Sequence, residues 1–184
     1  PTSLSVYPGD AAVLTVTATG TSISYQWQRN INGNWSNISN ANSKDLMLSG
    51  IDASKALQYR AIVSNIGDSV TSTPAVITLK NPVAITRQPA PQQTSSGQSA
   101  NFTVAATGHG DLSYRWYKGN YAIYDSSKFS GTTTATLTVQ NVAPGDASLY
   151  KVKVSNNDKK YAFSNPAQLS VAGPALITVQ PVST

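Results

Sequence analysis

The residues able to do chemistry in this chain are one histidine, eight aspartates and a set of cations interleaved with aromatic rings. The histidine, His109, sits in the tripeptide H-G-D with Asp111 two positions on. A hydrolytic triad needs a base held by a third group against a nucleophile. Nothing around His109 supplies a rigid frame, so it reads as an exposed loop residue. There is no glutamate, and Asp10, Asp52, Asp68, Asp111, Asp125, Asp146 and Asp158 have the neighbours of turn residues. Scattered turn carboxylates do not form the facing pair that glycosidic cleavage requires. With no cysteine, disulfides and thiolate metal sites are excluded. No phosphate loop or histidine cluster appears. The stretch around Asn81 offers one Asn and no Asp, too few oxygen ligands for Ca²⁺. The expectation is no enzyme, no metal and no cofactor.

The cations are more informative. Residues 82–172 hold eight basic and four acidic side chains, against five and four in residues 1–81. In the second half Arg115, Tyr117, Lys151 and Lys153 alternate with Tyr114, Trp116, Tyr150 and Val152. Alternation of period two places the first set on the solvent face of a strand pair and the second in a core. Tyr121 and Tyr124 follow closely. Such a face suits anionic or sugar-bearing surfaces: cations for phosphate or uronate, rings for the apolar faces of sugars. The plainer reading is ordinary solvated sheet residues, with lysine discouraging edge pairing, and it takes precedence here. The first half has Gln26, Gln28, Arg60 and Ile62 at the matching places, so the face is not a device of both halves. An isoelectric point near 9.5 raises nucleic-acid binding as an alternative. The absence of a dense Arg/Lys cluster argues against it. Asn34, Asn37 and Asn101 head N-x-S/T triplets, the first two expected in a loop and the third facing out from a strand. In a chain rich in Asn, Ser and Thr these carry little weight.

The elements that must position these residues come as an internal repeat. T-V-T-A-T-G (15–20) returns as T-V-A-A-T-G (103–108), S-Y-Q-W as S-Y-R-W, Tyr59 as Tyr150, and S-T-P-A as S-N-P-A. The offset drifts from 88 to 92, as loop insertions give. Each copy is a series of alternating strands: Ala12, Leu14, Val16, Ala18; Ile23, Tyr25, Trp27; Leu46, Leu48, Ile51; Tyr59, Ala61, Val63; Ile77, Leu79. The second copy repeats the pattern, and no window has helical periodicity. I-T-R-Q-P (85–89) returns as I-T-V-Q-P (177–181), and Pro1 aligns with Pro89. The domains are therefore read as 1–81 and 82–172, with 173–184 a linker and the start of a third repeat. On this reading the chain is an excerpt of a longer array with further repeats at both ends. Residues 80–85 and 172–177 are taken as equivalent linkers stiffened by Pro82 and Pro174. No apolar run is long enough to span a membrane.

Asp146, Tyr150 and Val152 resemble the D-x-x-x-Y-x-C signature of immunoglobulin-like domains, with the Cys replaced. In that signature the turn before the tyrosine uses Asp146 to bond its own backbone and Gly145 to tolerate positive φ. The spacings Val16 to Trp27 and Val104 to Trp116 match the family's strand-B Cys to strand-C Trp spacing. Both Cys positions are lost in both copies, filled by Val16 with Ala61 and by Val104 with Val152, and Lys55 stands where Asp146 does. The resemblance implies an all-β chain of two tandem immunoglobulin-like Greek-key β-sandwiches without disulfides, of the intermediate set. The wider pattern is similar to immunoglobulin-like repeats of bacterial surface proteins and tailed-phage virions, among them the highly immunogenic outer capsid (decoration) proteins. That family implies a non-catalytic display and attachment module on a virion or cell surface. Its expected partners are cell-surface glycans or an anionic envelope, bound weakly and in many copies. The alternative within the class is a passive spacer in a bacterial secreted enzyme or adhesin.

Overall fold

The computed structural model describes residues 1–173. Two compact units divide the chain, Pro1–Asn81 and a second beginning at Pro82. The first has eight strands: β1 (Leu4–Val6), β2 (Ala12–Thr15), β3 (Ser24–Ile31), β4 (Asn34–Asn37), β5 (Asp45–Leu48), β6 (Gln58–Ser64), β7 (Ser69–Thr71) and β8 (Ala75–Leu79). One sheet runs β1-β8-β6-β3-β4, with β7 beside β6; β2 and β5 pair separately. The strands form because apolar and polar residues alternate along them. Ala12 and Leu14 are buried while Val13 and Thr15 are exposed. The inward sets meet as one cluster that includes Leu14, Trp27, Leu46, Ile51, Tyr59 and Ile77. Trp27 is wholly buried, and its indole N–H donates to the Ser43 carbonyl at 2.9 Å.

The second unit comprises β9 (Ala84–Arg87), β10 (Gln92–Ser95), β11 (Ala100–Thr103), β12 (Ala105–Thr107), β13 (Leu112–Lys118), β14 (Tyr121–Ala122), β15 (Phe129–Ser130), β16 (Thr136–Val139), β17 (Ser148–Asn156), β18 (Tyr161–Phe163) and β19 (Ala167–Ala172). Its larger sheet runs β10-β19-β17-β13-β14 with β18 beside β17; the opposing ladders are β11-β16-β15 and β12-β9. The strand β1 lies parallel to β8, and β10 parallel to β19. Trp116, Phe102, Leu137, Tyr150, Val152 and Leu169 make the centre of the core, with Phe102 stacked on Tyr150 at 5.0 Å. Val104 and Val152 are both buried at the family's cysteine positions, so packing fills the place of the missing bridge.

Both tyrosine corners are built on backbone. The hydroxyl of Tyr150 donates to the Asp146 carbonyl at 3.0 Å, and that of Tyr59 to the Lys55 carbonyl at 2.9 Å. The acceptor is main chain, so the exchange of Asp146 for Lys55 leaves the first corner intact. Lys55 Nζ instead donates to the Ser49 and Gly50 carbonyls. Asp146 does more than accept the Ala143 N–H at 2.9 Å: its carboxylate pairs with Lys128 at 2.8 Å and Lys118 at 3.4 Å. Burial pushes this carboxyl up. The hydrogen bonds from Lys128 and Ala143 and the charges of Lys128 and Lys118 outweigh burial and hold it below the usual range.

Several sequence expectations change. The segment 80–85 is not all linker, since residues 84–85 belong to β9, and Val83 and Ile85 pack on the core. The inward alternation over 12–18 and 100–106 persists in burial, but the ladder does not: it ends at Thr15 in the first unit and changes partner between β11 and β12 in the second. Gly145 lies in a short 3₁₀ turn, Pro144–Asp146, without positive φ. Asn34 and Asn37 sit on β4 rather than in a loop. Asn101 faces out as expected and accepts the Thr138 hydroxyl at 2.7 Å. The expected linker and third-repeat start at 173–184, with its I-T-V-Q-P motif, lies outside the described residues from 174 onward.

Candidate functional site

The basic face is carried by β13 and β17, paired antiparallel with Arg115 opposite Lys153 and Tyr117 opposite Lys151. Their neighbours Trp116, Val152 and Val154 are buried, so register alone turns these four side chains outward. The hairpin to β14 sets Tyr117 opposite Ala122, and Ile123 N–H bonds the Trp116 carbonyl, which brings Tyr124 level with Arg115. The Arg115 guanidinium carbon stands 4.7 Å from the Tyr124 ring centre, and its Nη1 donates to the Ile123 carbonyl at 3.2 Å.

On the other flank β18 adds two rings that sequence reading missed. Lys153 Nζ is 4.2 Å from the Tyr161 ring centre and Lys151 Nζ is 5.5 Å from that of Phe163. Phe163 also meets the Tyr117 and Tyr161 rings edge-on, at 5.9 Å each. The signal was present: Tyr161 and Phe163 alternate with Ala162 directly after the Lys159–Lys160 turn, which is one more period-two strand. Each cation on the face is thus held against a ring, an attraction of about 0.5–1 kcal/mol at exposed sites.

Five of the six expected residues therefore come together: Arg115, Tyr117, Tyr124, Lys151 and Lys153. Tyr121 does not. It pairs with Lys118, one residue out of phase with Tyr117, so the pleat turns it to the opposite side. Lys118 itself reaches the Gly145 carbonyl and Asp146 at the corner. Among the described residues Arg115, Lys151 and Lys153 are in no salt bridge, whereas Lys118 and Lys128 share the Asp146 carboxylate. Asp125 is a counter-charge within reach of Arg115. Its carboxylate is committed to the Thr132 N–H and hydroxyl, at 2.9 and 2.7 Å, and those bonds, with a smaller contribution from Arg115, hold it below the usual range.

A groove of about 480 Å³ opens at the edge of this face, lined by Asn120, Leu149, Lys151, Phe163 and Pro166 among others. The matching face of the first unit is different. There Arg60 lies 4.1 Å over the Trp35 ring and donates to Gln28 at 2.8 Å, and Gln28 bonds Asn37. It has one cation, already spent on neutral partners. His109 is exposed in its loop, where its carbonyl accepts the Asn156 side-chain N–H. Among the described residues no three His, Cys, Asp or Glu side chains gather in a metal-binding group, and no helix is long and apolar enough to cross a membrane.

Residues 83–171 match the immunoglobulin I-set domain model. The fold is immunoglobulin-like. Residues 4–81 match a domain of unknown function, DUF8696. The I-band fragment I67–I69 from titin superposes with a TM-score of 0.72 at 20% identity, covering 95% of this chain and 64% of that one. Extracellular domains 3–5 of Drosophila OTK give 0.63 at 20% identity, over 94% and 60%. Human hemicentin-1 is 27% identical over 188 residues, which is 98% of this chain and 3% of hemicentin-1. The human cell adhesion molecule DSCAM is 32% identical over 87 residues, 47% of this chain and 4% of DSCAM. The chain thus spans only a few per cent of the length of these curated relatives. They are animal proteins, a different setting from the bacterial surface and phage capsid proteins that the sequence pattern resembles.

Proposed function

We propose that the chain is a non-catalytic adhesion and display module, exposed at a cell surface or in the extracellular space. Its second unit makes weak, repeated contacts with anionic glycans through the sheet face of β13, β17 and β18. The observation that carries this reading is the pairing of three unbridged cations, Arg115, Lys151 and Lys153, with three rings, Tyr124, Phe163 and Tyr161, on one exposed face. A cation held over a ring is positioned before a ligand arrives, and the rings leave apolar surface for a sugar to cover. The similarity to a named cell adhesion molecule supports the same class of role. The dispersion of the charges, with two lysines tied to Asp146, speaks against nucleic acid as the partner. Display on a virion remains part of the proposal only as a setting, carried by the sequence resemblance.

The experiment uses beads coated densely with the chain, because single contacts of this kind are weak. Acidic polysaccharide should bind to wild type at low salt and leave as salt rises past physiological strength, where exposed charges are screened over about 8 Å. Lys151→Ser with Lys153→Ser should weaken binding while costing the fold no more than its two cation–ring contacts, about 1–2 kcal/mol together. Undiminished binding by the double variant at low salt contradicts the assignment. A protein partner on the same face is the second reading, favoured by exposed Leu149 and Phe163 beside the 480 Å³ groove; its binding would resist salt.

A further inference from the structure

The two units differ at the outer edge of their smaller sheets. Matching hydrogen bonds align them: the Trp27 indole donates to the Ser43 carbonyl and the Trp116 indole to that of Thr134, while the Val16 N–H donates to Lys44 and the Val104 N–H to Ala135. Met47 on β5 is thus the counterpart of Thr138 on β16. Ile38 and Ala41 bond the Trp27 backbone as Ile123 and Thr132 bond that of Trp116. Two residues separate these anchors in the first unit and eight in the second. The longer segment holds β15, which covers the edge of β16 with Phe129 opposite Val139 and Ser130 opposite Thr138. Across that edge the Gln140 N–H also donates to the Lys128 carbonyl at 2.8 Å. Among the described residues the first unit has no such strand, and β5 pairs with β2 alone. Main-chain groups face one edge at every second residue, so those of Asp45, Met47 and Ser49 point away from β2. The outward side chains differ too. In the second unit Asn101 and Thr138 are hydrogen-bonded at 2.7 Å; their counterparts are Val13 and, opposite it, Met47, 49% and 78% exposed. A groove of about 460 Å³, lined by Ile38, Ala41, Leu46, Met47 and Leu48 among others, runs along the bare edge.

We propose that this edge is a self-pairing surface, and that its occupant is β5 of a second copy of the chain, run antiparallel about a two-fold axis through Met47. Self-complementary charge selects this occupant. In that register Met47 meets Met47, Leu46 meets Leu48, and Asp45 lies opposite Ser49 of the second copy. The Ser49 carbonyl already holds an ammonium group, since Lys55 Nζ donates to it at 2.6 Å and to the Gly50 carbonyl at 3.2 Å. Asp45 accepts the Thr15 hydroxyl at 2.7 Å through one carboxylate oxygen, which keeps the group on the outward face. Pairing therefore sets Asp45 of each copy against Lys55 of the other, two ion pairs related by the axis. Neither residue is in a salt bridge among the described residues. The main chains add hydrogen bonds at 45, 47 and 49, as when a strand joins an exposed sheet edge. Two Met47 and two Val13 side chains cover one another on the outer face. Lys44, the charge that would guard the edge, falls opposite Gly50 and so meets no like charge. The contact is isologous and closes as a dimer.

Sedimentation of the whole chain up to about 1 mM, the range of weak single-strand contacts, tests this. The expected result is a monomer–dimer equilibrium. Met47→Asp should weaken it by at least about tenfold, because like charges then stand opposite each other on the axis. Asp45→Lys and Lys55→Asp should each weaken it by at least about fivefold, since symmetry doubles each repulsion. Mixed together, those two variants should pair again, as one copy then brings two lysines against two aspartates of the other. Circular dichroism checks the fold of each variant, and loss of folding alone cannot be restored by mixing. Monomers at every concentration overturn the proposal, as does association that Met47→Asp leaves unchanged or that mixing the folded charge variants fails to restore. Protection of the Met47 amide from hydrogen exchange at concentrations where the chain is monomeric also overturns it, since a segment of the same chain would then cover the edge.

Discussion

Replacing Tyr150 with Phe tests the corner that sets the register of β17, and with it the parity of the whole basic face. The ring is fully buried, and its stacking on Phe102 at 5.0 Å survives the change. Only the hydroxyl goes, and with it the 3.0 Å bond to the Asp146 carbonyl, which lies in buried surroundings. A net hydrogen bond contributes about 1 kcal/mol, and an acceptor left unpaired away from water raises the cost to about 2 kcal/mol. For a domain of this size that is a fall in melting temperature of roughly 8–16 °C. The control is Tyr59→Phe, whose bond to Lys55 is only partly buried, so water replaces the lost partner and the cost is about half. Hydrogen exchange of the intact chain in rising denaturant, read on peptides from each unit, separates the two effects. Tyr150→Phe should lower protection of β13 and β17 and leave β3 and β6 unchanged. Unaltered protection, or equal losses in both units, would refute the reasoning.

Two further outcomes follow from the same unit. Asp146 has a folded pKa below its unfolded one, so its contribution is fully present above the unfolded value of about 3.9 and is lost as pH falls through the folded value; acid titration of the second unit by tyrosine fluorescence should show this loss, and Asp146→Asn should flatten it. Gly131 has φ +73°, and a Cβ there would lie 2.2 Å from the Thr136 carbonyl oxygen. Gly131→Ala should therefore destabilise the second unit by more than about 2 kcal/mol in a thermal melt, and a neutral result would mean that the loop relaxes freely.

The core was readable because its period-two alternation is local and recurs: Trp27 with Tyr59 and Trp116 with Tyr150 are all buried as the repeat implies. What alternation cannot show is which neighbour a strand pairs with. The run from Ala100 to Thr107 looks continuous, yet its halves pair with β16 and β9. Similarly, Arg115, Tyr117, Lys151 and Lys153 follow from parity within single strands. Tyr121 depends on the two-residue turn at Gly119 and Asn120, which sets Lys118 opposite it and so reverses its side. Asp146 read as a turn residue because its partners Lys118 and Lys128 are distant in sequence, and only the fold closes that distance. The three-residue strand Tyr161–Phe163 is short, and its rings gain meaning only beside Lys151 and Lys153.

Chemical-shift mapping of the isotope-labelled chain with a uronate oligosaccharide is the most direct test of the proposed face. At low salt the perturbed amides should fall on 113–117, 151–155 and 161–163, with side-chain shifts at Tyr124, Tyr161 and Phe163, and they should fade as salt is added. Tyr121 should not respond. Perturbations confined to the first unit or to the β11–β16 ladder, or none at all at saturating ligand, would contradict the account.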